Sequence, residues 1–115
     1  MTDEMTLKDY QRHAAVTAIY PGPGTAAGLS YVALGLAGEA GEVANRVKKV
    51  LRDDGGELSA FSRKLLKDEA GDCLWYVAQL ATELGIGLDE IAAANVEKLE
   101  SRRVRGVLSG SGDKR

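Results

Sequence analysis

A single cysteine, Cys73, and a single histidine, His13, are all that this chain of 115 residues has of the two most versatile catalytic side chains. One cysteine excludes an internal disulfide and fits a reducing compartment. One histidine leaves no Ser–His or Cys–His pair of obvious use: Ser109 and Ser111 lie in a glycine-rich stretch, and Cys73 falls on an apolar helix face. The two prolines, Pro21 and Pro23, both belong to the "PGPG" segment at 21–24, so every later segment is free of helix breakers of that kind. No apolar run approaches the roughly 20 residues of a spanning helix. The N-terminal "MTDEMTLKDYQRH" lacks the basic-then-apolar order of a signal peptide, and a cytoplasmic location is expected. No Gly-x-x-x-x-Gly-Lys-Ser/Thr loop occurs, which excludes a P-loop enzyme. The formal net charge of −2 argues against a dedicated nucleic-acid binder. Even so, the stretch 98–115 carries six basic residues against two acidic ones.

Hydrophobic residues at 44% and charged residues at 28% are those of a folded globular chain, and the length suits one domain with a modest core. Alternating apolar and polar runs are missing, and helical periodicity predicts four helices, at 7–20, 29–52, 59–84 and 88–103. Thr6 is expected to cap the first; "PGPG", "DDGG" and Gly85 end the first three. The predicted fold is an all-α four-helix bundle over residues 1–105, followed by a Gly/Ser-rich tail at 106–115 that is expected to be disordered without ligand, with Gly110 and Gly112 otherwise offering backbone N–H groups to a phosphate.

Helix interiors twice carry nearly the same four letters, Glu-Ala-Gly-Glu at 39–42 and Glu-Ala-Gly-Asp at 69–72. With 100° per residue and Glu39 at zero, Val32, Leu36, Ala40, Val43, Val47 and Val50 fall between about 20° and 100°, and Glu42 lies near 300°. With Glu69 at zero, Asp72 lies near 300° and Tyr76 near 340°, while Cys73, Val77, Leu80 and Leu84 occupy about 20° to 80°. Each helix therefore places an i, i+3 acid pair on the shoulder of its apolar face, and two such helices in contact bring four carboxylates together. Four such groups repel and lose hydration unless a cation joins them, and Mg²⁺ favours oxygen ligands of this kind. Gly41 and Gly71, each costing about 1 kcal/mol in a helix interior, are expected to admit a neighbouring helix, a metal or a phosphate. A di-iron site is not favoured, since it wants Glu-x-x-His on two helices and the one histidine, His13, lies outside any such motif.

In the fourth helix Asn95, Lys98, Arg102 and Arg105 form one polar stripe, and Arg46 and Lys49 follow the carboxylates of the second by about one turn. Acids, a divalent ion and a basic stripe together suit a phosphate-ester site. Trp75 points away from the acid pair and from the main apolar arc, and is expected to pack on helix one or on another subunit.

"LAGEAGEVANRVKKVLRDD", "LLKDEAGDCLWYVAQLATELGIGLDEI" and "NVEKLESRR" together resemble the MazG-like members of the all-α nucleoside triphosphate pyrophosphohydrolase superfamily, over residues 34–105. The tail is similar to the ending of a small single-domain subgroup found in bacteria and phages, whereas longer relatives carry two such domains. The resemblance implies hydrolysis of a (d)NTP to (d)NMP and pyrophosphate, with Mg²⁺ or its substitute Mn²⁺ held by Glu39, Glu42, Glu69 and Asp72. It points to Asn95, Lys98 and Arg102 at the substrate; the placement of the side chains adds Arg46 and Lys49 on the phosphate oxygens and Glu39 or Glu42 as the base. It also implies a homodimer or homotetramer whose sites are completed by a neighbour, and a part in house-cleaning of the nucleotide pool. Two rivals stand beside it: a non-catalytic regulatory protein that binds metal and nucleotide, and a nucleic-acid accessory using the basic C-terminal stretch.

Overall fold

The computed structural model describes residues 4–115, and within them four α-helices: α1 (Leu7–Ala15), α2 (Ala26–Asp53), α3 (Ala60–Leu84) and α4 (Leu88–Arg105). No strand is present among the described residues, so the all-α reading holds. None of the helices is long and apolar enough to cross a membrane.

The helix ends differ from expectation where side chains take over backbone groups. Thr6 caps α1 in a capping box, its hydroxyl accepting from the Asp9 N–H while the Asp9 carboxylate accepts from the Thr6 N–H. That helix ends at Ala15, five residues before its predicted end at 20. Two causes converge there. Residue 20 precedes a proline and is disfavoured in helical conformation. The indole N–H of Trp75 and the hydroxyl of Thr17 both donate to the Ala14 carbonyl, satisfying an acceptor that a continuing helix would have used. At the other end of the loop, α2 begins at Ala26, earlier than predicted, because the Thr25 hydroxyl accepts from the Ala27 N–H. Ser59 caps α3 through the Ser62 N–H, and left-handed Gly85 ends it. α4 runs two residues longer than predicted, to Arg105, with left-handed Gly106 as its cap.

α2 and α3 form the main antiparallel pair, while α1 packs on α3 and on α4. α4 touches α1 and α3 but not α2. The chain is consequently open: its radius of gyration is 17.0 Å, against about 13 Å for a compact domain of this length. Ala14, Ala78, Ala81 and Leu88 form a small core where α1, α3 and α4 meet, with Tyr10, Trp75, Val77 and Ile91 against it. Trp75 thus packs on α1, one of the two places expected for it.

The α2–α3 contact turns each helix differently from the expectation. Gly35 lies against the Tyr76 ring and Gly28 against Glu83, with Val32 fully buried in the same contact. The meridians that face one another therefore run through Glu39 on α2 and through Asp72 and Tyr76 on α3. The predicted apolar arcs lie to one side and are only partly covered: Val47 is 42% exposed and Leu84 54%. At the same level on α3, Gln79 is fully buried with neither amide atom hydrogen-bonded. The glycine the packing needs is Gly35, where a methyl group would overlap the Tyr76 ring.

Gly35→Ala is expected to destabilise the chain by about 1–3 kcal/mol, the usual cost of overpacking, read as a lower urea midpoint. In the opposite direction, Gln79→Met removes an unpaired buried amide and is expected to raise Tm by several degrees. A fall in Tm for that variant would show that the amide has a partner.

Candidate active site

Of the four acids expected to converge, the structure brings three together. One carboxylate oxygen from each of Glu39, Glu69 and Asp72 lies within 4.8 Å of the others. Glu39 comes from the middle of α2; Glu69 and Asp72 sit one turn apart on α3, and the antiparallel packing set by Gly35 and Tyr76 carries them to the same height. Glu42 remains exposed and outside this group, although its charge reaches Glu39. Partial burial, and then the charges of Asp72, Glu69 and Glu42, push the Glu39 carboxyl above its ordinary range. The Glu69 side chain is only 14% exposed.

Such a cluster fits a small divalent cation. Oxygens on one Mg²⁺ are about 2.9 Å apart when adjacent and about 4.2 Å apart when opposite, so the three carboxylates would draw in around an ion. The cation would also offset the burial and the neighbouring charges that raise Glu39.

Arg46, one turn beyond Glu42 and two beyond Glu39, borders the acids. Its Nε lies 3.6 Å from Glu69 Oε1, too far for a hydrogen bond, and has no other partner among the described residues. It shares a cavity of about 220 Å³ with Lys49, Val50, Asp53, Asp54, Phe61, Ser62 and Leu65. Arg46 thus stands beside the acids, and Lys49 lines the cavity next to it. The α4 residues do not join them within one chain. Asn95 and Lys98 line a shallow depression with Ile86, Glu90, Ile91 and Ala94, and Lys98 and Arg102 pair with Asp113. Gly41 and Gly71 have no atom of the chain near the space a side chain would fill, so whatever they admit is not a neighbouring helix of the same chain.

On the side of the acids towards the chain start lies an aromatic cluster that the sequence reading left out. Tyr20 stacks on Tyr31 at 5.1 Å between ring centres, and Trp75 meets Tyr76 edge-on at 5.0 Å. Tyr76 feels the charges of Glu39 and Asp72, and Tyr10 that of Asp72. Burial, then the Glu83 carboxylate that accepts its hydroxyl proton, pushes the Tyr20 phenol up to about 12. Glu83 also accepts from the Gly24 N–H, so this cluster ties the 21–24 loop to α3. Tyr76 was placed near the acid meridian by its helical angle, but Tyr20 reaches the cluster only through the loop, which periodicity does not describe, and there stacks on Tyr31 of α2.

Two helices thus present three clustered carboxylates beside a loosely paired arginine, an arrangement with room for a cation and an anion. Residues 28–106 match the MazG nucleotide pyrophosphohydrolase domain, and the chain belongs to that family. It is also 53% identical over 114 residues, 96% of its length and 100% of the relative's, to the Gene 37 protein of Mycobacterium phage L5. No solved structure matches it.

Asp72→Asn, at an exposed position, is expected to keep the helices and lose the thermal stabilisation that millimolar Mg²⁺ gives the wild-type chain. An ion at 100 times its Kd contributes about 2.7 kcal/mol, a shift of several degrees in a thermal scan. An equal Mg²⁺ response in the variant would mean that the ion binds elsewhere.

Proposed function

We propose that this protein is a Mg²⁺-dependent nucleoside triphosphate pyrophosphohydrolase that cleaves (d)NTPs to (d)NMP and pyrophosphate and serves to clean the nucleotide pool. The observation that carries this reading is the meeting of Glu39, Glu69 and Asp72 between α2 and α3, beside a basic side chain with no firm partner. Family membership supports the reaction class.

Glu39, Glu69 and Asp72 would hold the ion, which Mn²⁺ can replace, and when bound it supplies charge neutralisation and activation of water. Glu42, exposed and one turn from Glu39, is free to accept the proton of the attacking water. The α–β phosphoanhydride breaks, and pyrophosphate leaves with the bridging oxygen. Arg46 and Lys49, lining the adjoining cavity, offset the negative charge gathered on the phosphate oxygens. Arg46 in particular gives up only a loose ion pair when it turns to substrate.

Asn95, Lys98 and Arg102 contact the substrate from another copy of the chain, in a homodimer or homotetramer. Two observations support this. α4 does not pack on α2 within one chain. Large apolar side chains stand exposed on several helices, among them Leu34 at 73%, Leu74 at 41% and Val104 at 71%.

Incubation with a panel of canonical and modified (d)NTPs and Mg²⁺ is expected to yield pyrophosphate before any orthophosphate. Glu42→Gln is expected to lower that rate by at least about 10²-fold, the typical contribution of a general base, with circular dichroism unchanged. Orthophosphate as the first product would contradict attack at the α–β bond. Nucleotide binding with no product at all would favour a regulatory protein.

A further inference from the structure

The tail that was expected to be disordered is instead folded back on α4. After Gly106, the backbone turns at Gly110 and Gly112, whose φ angles of 101° and 89° suit glycine alone. Arg115 fastens the loop by donating to the carbonyls of Val107 at 3.2 Å, Leu108 at 3.0 Å and Gly112 at 2.6 Å. The turn delivers Asp113 to the polar stripe of α4. There one carboxylate oxygen accepts from Lys98 Nζ at 2.8 Å and from Arg102 Nη2 at 3.0 Å, and the same Nη2 donates to the Asp113 carbonyl.

Arg102 is an unusual place for a charge. It is 5% exposed, its Nε has no hydrogen-bond partner, and no acid of α1, α2 or α3 pairs with it or with Lys98 among the described residues. The nearby Glu100 is engaged by Arg103. A buried guanidinium needs an anion, and the one it has is borrowed from the tail. Lys98, and then Arg102, hold the Asp113 carboxyl below its usual range. Its side chain nevertheless remains 77% exposed, so water and solutes reach it freely.

We propose that Lys98 and Arg102 form an anion site that Asp113 fills in the free protein, and that the phosphate groups of the nucleotide or of released pyrophosphate take the place of this carboxylate. The inference rests on the assignment of Lys98 and Arg102 to phosphate. It adds Asp113 as the residue that sets the affinity of that site. A carboxylate presents two oxygens and a single charge, whereas pyrophosphate presents more of both, so a stronger anion wins where a weaker one would not. The tail thereby keeps the buried cation satisfied between turnovers and raises the threshold for phosphate binding. Apparent affinity falls by the fraction of chains whose tail is in place.

The test is calorimetric titration of sodium pyrophosphate into the full chain with chelator and no divalent ion, comparing wild type, Asp113→Asn and Asp113→Asn/Lys98→Gln. Exposed ion pairs are weak, so Asp113→Asn is expected to tighten binding on the order of three- to tenfold. The double variant is expected to lose that gain. Equal or weaker binding by Asp113→Asn, no binding by either protein, or a gain that survives Lys98→Gln would each overturn the proposal. No turnover occurs in this titration, so a failure of the hydrolase reading would appear only in the product assay and the two remain separable.

Discussion

Mutual repulsion among three carboxylates at the contact of α2 and α3 is the constraint around which this chain is built. Helix pairs usually bury apolar meridians against one another and leave acids on the flanks, because desolvating a charge costs more than an ordinary contact returns. Here the packing does the reverse over one stretch. Gly35 lets α3 come in close through the Tyr76 ring, and the consequence one turn further along is that Glu39 meets Glu69 and Asp72. The raised Glu39 carboxyl records the electrostatic cost. A site kept at that cost is stabilised by whatever cation enters it, and this ties the stability of the helix pair to its chemistry.

The same turn of the helices explains the open shape. Since the acid meridians face inwards, the apolar arcs that ordinarily close a bundle are left at the side, and α4 leans on α1 and α3 without reaching α2. Association with further copies would cover the arcs and bring the α4 stripe to the acids of another chain. One arrangement thus accounts for the partly covered side chains and for the distance between the basic stripe and the clustered acids. Meanwhile the tail supplies the stripe with its own counter-ion.

Much of this was readable from the residues. Helix number and type followed from periodicity, Thr6 and Gly85 marked ends correctly, and the paired EAG[ED] segments contained the three acids that meet. Three things were hidden for definite reasons. Periodicity places a residue on a helix but does not fix which meridian meets a neighbour. That depends on close approach at Gly28 and Gly35, whose small size in sequence looks only like a weakness of the helix. The end of α1 was missed because the Ala14 carbonyl, in its last turn, is taken by Trp75, a partner 61 positions away in the chain. The tail read as disordered from its glycines and serines, yet two of those glycines make the turns that carry Asp113 to Lys98 and Arg102. Composition registers the flexibility of such residues and not the contact they permit.

Because the account turns on an ion shared by both helices, its most direct test is anomalous diffraction from crystals soaked in Mn²⁺. The account predicts a peak within bonding distance of carboxylate oxygens from Glu39, Glu69 and Asp72 together. Absence of any peak there, with those three side chains spread into solvent, would contradict it.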